Sequence, residues 1–540
     1  MAASPLLAAE RPLDVVLAGG KVWTGAGGAP QRLSIGLIGD RIAVVGDEAV
    51  KARTTGATRI VDLDGAFVTP AFIDNHTHFL LGSTMLSQVN LRDAADRATF
   101  AERVGARARA RPGEWVEGGH WDEQLWGGQL PTREWIDAVT PNTPVAVARL
   151  DLHMYLLNSL ALKLAGITRD TPDPPGGVIV RDAKGEPTGI IKDNAKPLVE
   201  RVITAPSEAV VDERMRDGIA HGLAHGVAQA HVPELDWKTH FSLRRLRARG
   251  ETDMRFYSFV PLGDWEKLDA LVKAEGRGDD WVRWGGLKGL VDGSLGSRTA
   301  LFHDPYADAH DNHGVRVTSL KDLREWVGEA DRRGLQVTVH AIGDEANDDI
   351  LDLYADVAKV NGPRDRRFRV EHAQHLTQKA IARFAPQKVI ASVQPYHAID
   401  DGRWAEKPLG KARLKGTYAF ESLFSSGATV TFGSDWPVAP LDPLEGIYAA
   451  ATRRTIDEAN PGGWLPDQKT TVEQALVAYT RNNAFAGFQE DRLGRIAPGC
   501  LADITVLDTD LLAVDPVKIR QAKVLRTFVG GKQRYGPTDG

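Results

Sequence analysis

Phe72-Ile73-Asp74-Asn75-His76-Thr77-His78 is the stretch on which the reading of this chain turns. It closes an apolar run from Ala66 to Ile73, broken only by Thr69 and Pro70, that reads as a short buried strand. Residues two apart on a strand point the same way, so His76 and His78 present both imidazoles to one side. Neutral imidazole is the commonest protein ligand for a transition metal, and two on one face can share an ion. A lone His-x-His carries little weight, so the company it keeps further along decides the matter.

Outward from that stretch the chain alternates strands with helical segments. The apolar runs 227–231, 255–260, 286–291, 336–340, 368–372, 389–394 and 429–433 read as strands, with helix-like segments at 320–333, 345–359 and 378–384 between them. With the run before His76 that makes eight strands in βα order, the requirement of a (β/α)₈ TIM barrel. A doubly wound sheet is the rival, but no Gly-x-Gly-x-x-Gly opens the first unit. In a barrel the chemistry sits at the C-terminal strand ends. His76 and His78 end strand one, His340 strand five, His372 strand six and Asp435 strand eight, while Lys288 lies on strand four. Any one of these could be a satisfied core group; five coordinating side chains at strand ends point to a metal centre.

The remaining segments fix the domain expectations. Short strands at 14–18, 34–38 and 41–45 have the same texture as 502–507 and 524–529, and neither end supplies a sheet alone. One small β-sandwich built from both termini is expected, with parts at 1–68 and 488–540 around a barrel at 69–487. Residues 85–200 break the alternation, with Trp115, Trp121, Trp126, Trp135 and a Pro-rich run at 171–177, and read as an insertion after the first strand. The tryptophans are expected to form its core.

Composition narrows the function. The 540 residues exceed one ordinary core. A net charge of -6 gives no basic footprint for nucleic acid, and no apolar run approaches a bilayer span. A single cysteine, Cys500, excludes an internal disulfide and a thiolate cluster. The expected partner is a small-molecule substrate, with a homo-oligomer allowed. The N-terminus has no cationic leader region, so a cytoplasmic protein is expected, with an exported form whose leader has been removed as the alternative.

Longer matches carry a resemblance. The start Val16-Leu17-Ala18-Gly19-Gly20-Lys21-Val22-Trp23-Thr24, the lead-in Val68 to Asp74, Gly185-Glu186-Pro187-Thr188-Gly189, the loop from Asp292 to Ala300 and the segment Ala497 to Asp503 resemble the amidohydrolase superfamily. The branch is that of YtcJ-like proteins and N-substituted formamide deformylases. The resemblance implies a distorted barrel, the two-ended sandwich and a metal-dependent hydrolase. It implies that His76 and His78 hold a more buried ion, completed by Asp435, and that His340 and His372 hold a more exposed one. It further implies a bridge by a lysine carboxylated with carbon dioxide, for which Lys288 is the candidate and Lys192 the rival; the alternative is a plain ion pair of Lys288 with Asp292. His153, Arg298, His120 and His397 are candidates for the substrate side.

The ligands suggest the chemistry on their own. One or two divalent ions, zinc being best suited to imidazole and carboxylate, would acidify water and polarise a carbonyl. Asp435 would take the water's proton and return it to a leaving amine. No cysteine or Gly-x-Ser-x-Gly elbow offers a covalent nucleophile. Hydrolysis of an amide, N-formyl, N-acyl or cyclic amide C–N bond is therefore expected; a decarboxylase or isomerase, or a non-catalytic binding or regulatory homologue, are the alternatives. His221 and His225, four apart on a helix, lack the zincin glutamate and read as a helix face, and His310 and His313 as a solvated loop.

Overall fold

A computed structural model describes residues 11–149, 154–175, 177–193, 195–203, 205–296 and 298–537. Among these the barrel strands are β1 (Phe72–Asp74), β2 (Val227–Pro233), β3 (Arg255–Pro261), β4 (Val282–Leu290), β5 (Gln336–Ala341), β6 (Arg369–His372), β7 (Ile390–Val393) and β8 (Val430–Phe432). They pair in parallel in that order, giving an eight-stranded (β/α)₈ sheet. Nearly every strand residue is buried, as parallel strands covered on both faces must be. Two of the helices between them start at a side-chain cap. Ser319 accepts from the Asp322 amide at 3.1 Å to open Leu320–Arg332, and Thr377 accepts from the Ala380 amide at 2.9 Å to open Gln378–Gln387.

The barrel closes past the strand ends. The Asn75 amide donates to the Phe432 carbonyl at 3.3 Å, the Asp435 amide to His76 O at 2.7 Å and the His78 amide to Trp436 O at 2.8 Å. This seam stitches the residues after β1 to those after β8, so both lengths of backbone that carry candidate ligands hold each other in place.

The apolar run 66–73 is two strands, not one. Phe67–Pro70 pairs antiparallel with Ile504–Leu507, and Phe72–Asp74 pairs with β2. The partner changes at a single residue: the Ala71 amide donates to Asp503 O and the Phe72 amide to Gly226 O. Phe67–Pro70 thus joins a second eight-stranded sheet in which Val15–Val22, Gln31–Ile38, Arg41–Val45 and Arg59–Asp62 combine with Ile504–Leu507, Val524–Val529 and Lys532–Tyr535. Leu17, Ile35, Val68, Ile504 and Phe528 share its core. A buried pair pins this sheet to the barrel: Arg255 Nε and Nη2 donate to the Asp503 carboxylate at 2.6 and 3.0 Å.

Leu80–Asp217 forms a separate compact unit, longer at both ends than the 85–200 read from the sequence because its own helices flank the Trp-rich stretch. It holds a six-stranded sheet. Trp121 is fully buried and donates to Val147 O at 3.0 Å, while Trp126 and Trp135 pack edge-on against Phe100. Trp121 belongs to the core of this unit, and Trp126 and Trp135 are partly buried against it.

Candidate metal centre

The seam that closes the barrel sets the first part of the site. Asp74 accepts from the amides of His76 and Ser434, which turns the chain after β1 and after β8 towards one point. Asp435 sits there with φ +60°, a left-handed conformation a non-glycine residue rarely adopts. His372, at the end of β6, has φ +75°. Strained backbone at two candidate ligands is the pattern of a functional site.

Each histidine is held from behind through one ring nitrogen, which assigns its lone pair to the other. His76 Nδ1 donates to Glu371 Oε2 at 2.5 Å, and His78 Nδ1 to Glu234 Oε2 at 3.1 Å. His372 Nδ1 donates to Gln394 Oε1 at 2.8 Å. His340 is turned the other way, its Nε2 donating to Gly293 O at 2.9 Å. Burial, together with the nearby Lys288 ammonium, lowers His76 to about 4 and His340 to about 3, and it drives His372 well down. Those three rings are neutral at pH 7, as metal ligation needs, whereas Glu234 and Asp435 outweigh burial at His78 and raise it.

Asp435 joins the rings. Its Oδ1 lies 3.5 Å from His76 Nε2 and 3.3 Å from His78 Nε2, and its Oδ2 lies 4.0 Å from His372 Nδ1 and 3.8 Å from His397 Nε2. Two groups therefore bring donor atoms within 4.8 Å of one another: His76, His78 and Asp435, and His372, His397 and Asp435. Asp435 Oδ1 and His397 Nε2 are buried without a hydrogen-bond partner. A buried carboxylate oxygen lacking a donor is costly, and a cation satisfies it. The donor set fits a divalent ion.

Two placements differ from the sequence reading. His397, placed there on the substrate side, falls into a donor group. His340, paired there with His372, falls outside both groups, although the two ring centroids are only 4.5 Å apart and its Nδ1 is left free by the Nε2 bond to Gly293. Lys288 is buried, its pKa lowered by desolvation, and its Nζ lies 3.4 Å from His76 Nε2. Its alternative partner is spoken for: Asp292 accepts from the amides of Leu301, Ile342 and Gly343 and anchors the loop after β4.

A pocket of about 510 Å³ opens over these groups. Leu235, Leu290, Leu295, Ile342, Trp404 and Val438 supply apolar wall, and Asp400 and Asp401 an acidic edge. A larger pocket of about 970 Å³ lies by the N-terminal ends of β6 and β7, between Lys359, Arg364 and Lys388, and holds none of the candidate residues. Arg298 does not line the 510 Å³ pocket; its guanidinium is occupied by Asp308, at 3.1 and 2.7 Å, and by the carbonyls of Leu295 and Gly296. His120 and Lys192 belong to the Leu80–Asp217 unit, where His120 lines a cavity with Glu117 and Tyr155. His153 lies outside the described residues. His221 stacks on Trp436 at 5.5 Å between centroids, and neither it nor His225 enters a donor group.

Comparison with known proteins agrees with this architecture. The model of the amidohydrolase family matches residues 59–535. Protein LONG AFTER FAR-RED 3 of Arabidopsis thaliana is 40% identical, the match covering 97% of this chain and 91% of that protein. N-substituted formamide deformylase of Arthrobacter pascens is 29% identical over 93% of this chain and 94% of its own length. The crystal structure of an uncharacterized metal-dependent hydrolase from Pyrococcus furiosus superposes with a TM-score of 0.76 at 28% identity, covering 92% of this chain and 99% of that one. This chain is a member of the amidohydrolase family.

Proposed function

We propose that this chain is a metal-dependent hydrolase acting on a non-peptide C–N bond, an amide, N-formyl, N-acyl or cyclic amide. The observation that carries the reading is the Asp435 carboxylate shared between two groups of histidines at the mouth of the barrel. His76, His78 and Asp435 would hold one divalent ion, zinc by the chemistry of the donors. His372 with Asp435, and His340 or His397, would hold a second, with Lys288 as a bridge once carboxylated by carbon dioxide. A divalent ion in such a site supplies Lewis acidity to a carbonyl and lowers the pKa of water.

The chain's own groups do the rest. Asp435 takes one proton from the attacking water as its oxygen bonds to the carbonyl carbon. The same carboxylate returns that proton to the nitrogen as the C–N bond breaks, so that acid and amine leave with the balance intact. The apolar wall from Leu235 to Trp404 excludes water and suits a neutral, apolar substituent on the amide. The Arthrobacter relative is named for an N-substituted formamide, an amide that carries a substituent on nitrogen.

The test is elemental analysis of the purified chain together with a hydrolysis screen over N-formyl, N-acyl and lactam compounds. Bound divalent metal and release of an amine from a neutral amide are expected. Release of carbon dioxide without an amine would reassign the site to a decarboxylase, and a metal-free chain without turnover would leave a binding or regulatory homologue.

A further inference from the structure

The structure assigns Glu371 as the positioning residue that fixes His76 for metal binding, with Arg369 as the counter-charge that holds Glu371 there. The inference rests on the proposed metal centre and adds residues to it that do not themselves touch the ion.

Glu371 is fully buried inside the barrel, and donors on four strands or strand ends converge on it. Oε1 accepts from Arg369 Nε at 2.7 Å and from Thr338 Oγ1 on β5. Oε2 accepts from Ser392 Oγ on β7 at 2.6 Å and from His76 Nδ1 at 2.5 Å. Arg369 is equally buried, and its other nitrogens reach Asn75 O at 2.7 Å and His231 Nδ1 at 3.1 Å. Both carboxylate oxygens are thus saturated with donors.

A buried ion pair is a poor way to stabilise a core, since apolar residues of like volume do as well or better. Its yield here is geometric. With Arg369 Nε, Thr338 Oγ1 and Ser392 Oγ already donating to its two oxygens, Glu371 is left to accept from His76 Nδ1, which turns the Nε2 lone pair towards Asp435. A carboxylate behind an imidazole also makes the ring a stronger ligand, and losing such a partner typically costs 10–100-fold in metal affinity. Arg369 donates in turn to Asn75 O, one residue before His76, so the same pair fixes the backbone and the ring of one ligand.

The experiment is zinc affinity by chelator competition for the parent and Glu371→Gln, with thermal unfolding of each metal-free protein. We expect the zinc dissociation constant to rise ten- to a hundredfold in a chain that still unfolds cooperatively, with excess zinc restoring part of the lost turnover. A merely structural role would lower the melting temperature and leave zinc affinity unchanged, and that result overturns the inference. Because Glu371→Gln strands the Arg369 charge, Arg369→Met/Glu371→Gln removes both charges and is read the same way; failure of both variants to fold would assign the pair to folding and overturn the inference. A parent that binds no zinc overturns the proposed function as well; a parent that binds it, with variants of equal affinity, overturns this inference alone.

Discussion

The histidines after β1 and those ending β5 and β6 are held in different ways. His76 and His78 are backed by carboxylates, Glu371 and Glu234. His340 and His372 are backed by neutral acceptors, the Gly293 carbonyl and the Gln394 amide oxygen. Charged acceptors make the stronger hydrogen bond and the more basic ring. The β1 pair is therefore the stronger donor set and should fill first, while the β5–β6 pair is suited to a looser or exchangeable ion. Asp435 stands with His76 and His78 on one side and with His372 and His397 on the other, so it is where the two halves are expected to fail together.

The largest expected effect follows from that shared position. Asp435→Asn keeps the shape but loses the proton-accepting charge, and turnover should fall by ~10²–10⁴-fold. Raising substrate should not restore it, since what is lost is transition-state stabilisation. A folded, metal-replete Asp435→Asn enzyme within a few-fold of the parent would remove the general base from the scheme.

A smaller effect separates what the β1 pair binds from what supports it. His231→Ala leaves Arg369 Nη1 without its acceptor, which should cost about 1–3 kcal/mol of stability on denaturant titration. His76→Ala or His78→Ala should strip or loosen the ion instead. Equal zinc contents for His231→Ala and His76→Ala would erase that distinction.

Much of this arrangement was legible in the sequence. The eight barrel strands are apolar runs and could be read from that pattern, and the candidate ligands His76, His340, His372 and Asp435 stand at or just past the ends of four of them. Glu371 was not read, because it stands beside His372 in one short run and its role depends on Thr338, Ser392 and His76, 33, 21 and 295 residues away. A signal existed: Arg369 and Glu371 are two apart on a strand, so both charges face one side of a barrel interior. Gln394 and Glu234 gave no comparable hint, since a polar residue after a strand is unremarkable. Asp292 was read as a possible partner of Lys288, whereas its acceptors are filled by amides of a loop whose path no spacing reveals. The split at Ala71 was hidden because both sheets bury their strands and leave no change in hydrophobicity.

A still smaller effect probes the β6 side. Gln394→Ala removes only a neutral acceptor behind His372, so zinc affinity should change by no more than about tenfold, at the low end of what a supporting partner contributes. A larger loss than in Glu371→Gln would invert the ranking of the two halves.

Outside the donor set, His240 should leave metal binding untouched and act on stability alone. It is buried against Trp237, Phe241 and Trp284, and burial lowers it to about 4. The folded state therefore favours the neutral ring. Its contribution is complete above the ordinary value near 6.5 and is lost as pH falls from there through 4, so stability should drop across that window. His240→Phe should flatten that part of the pH–stability curve, and an unchanged curve would refute the assignment.

The most direct measurement is zinc titration of the metal-stripped chain beside His76→Ala and His372→Ala. The parent should take up a tight ion first, a step absent from His76→Ala and retained in His372→Ala. Absence of divalent metal uptake by the parent, or a His76→Ala chain that titrates as the parent does, would contradict the account.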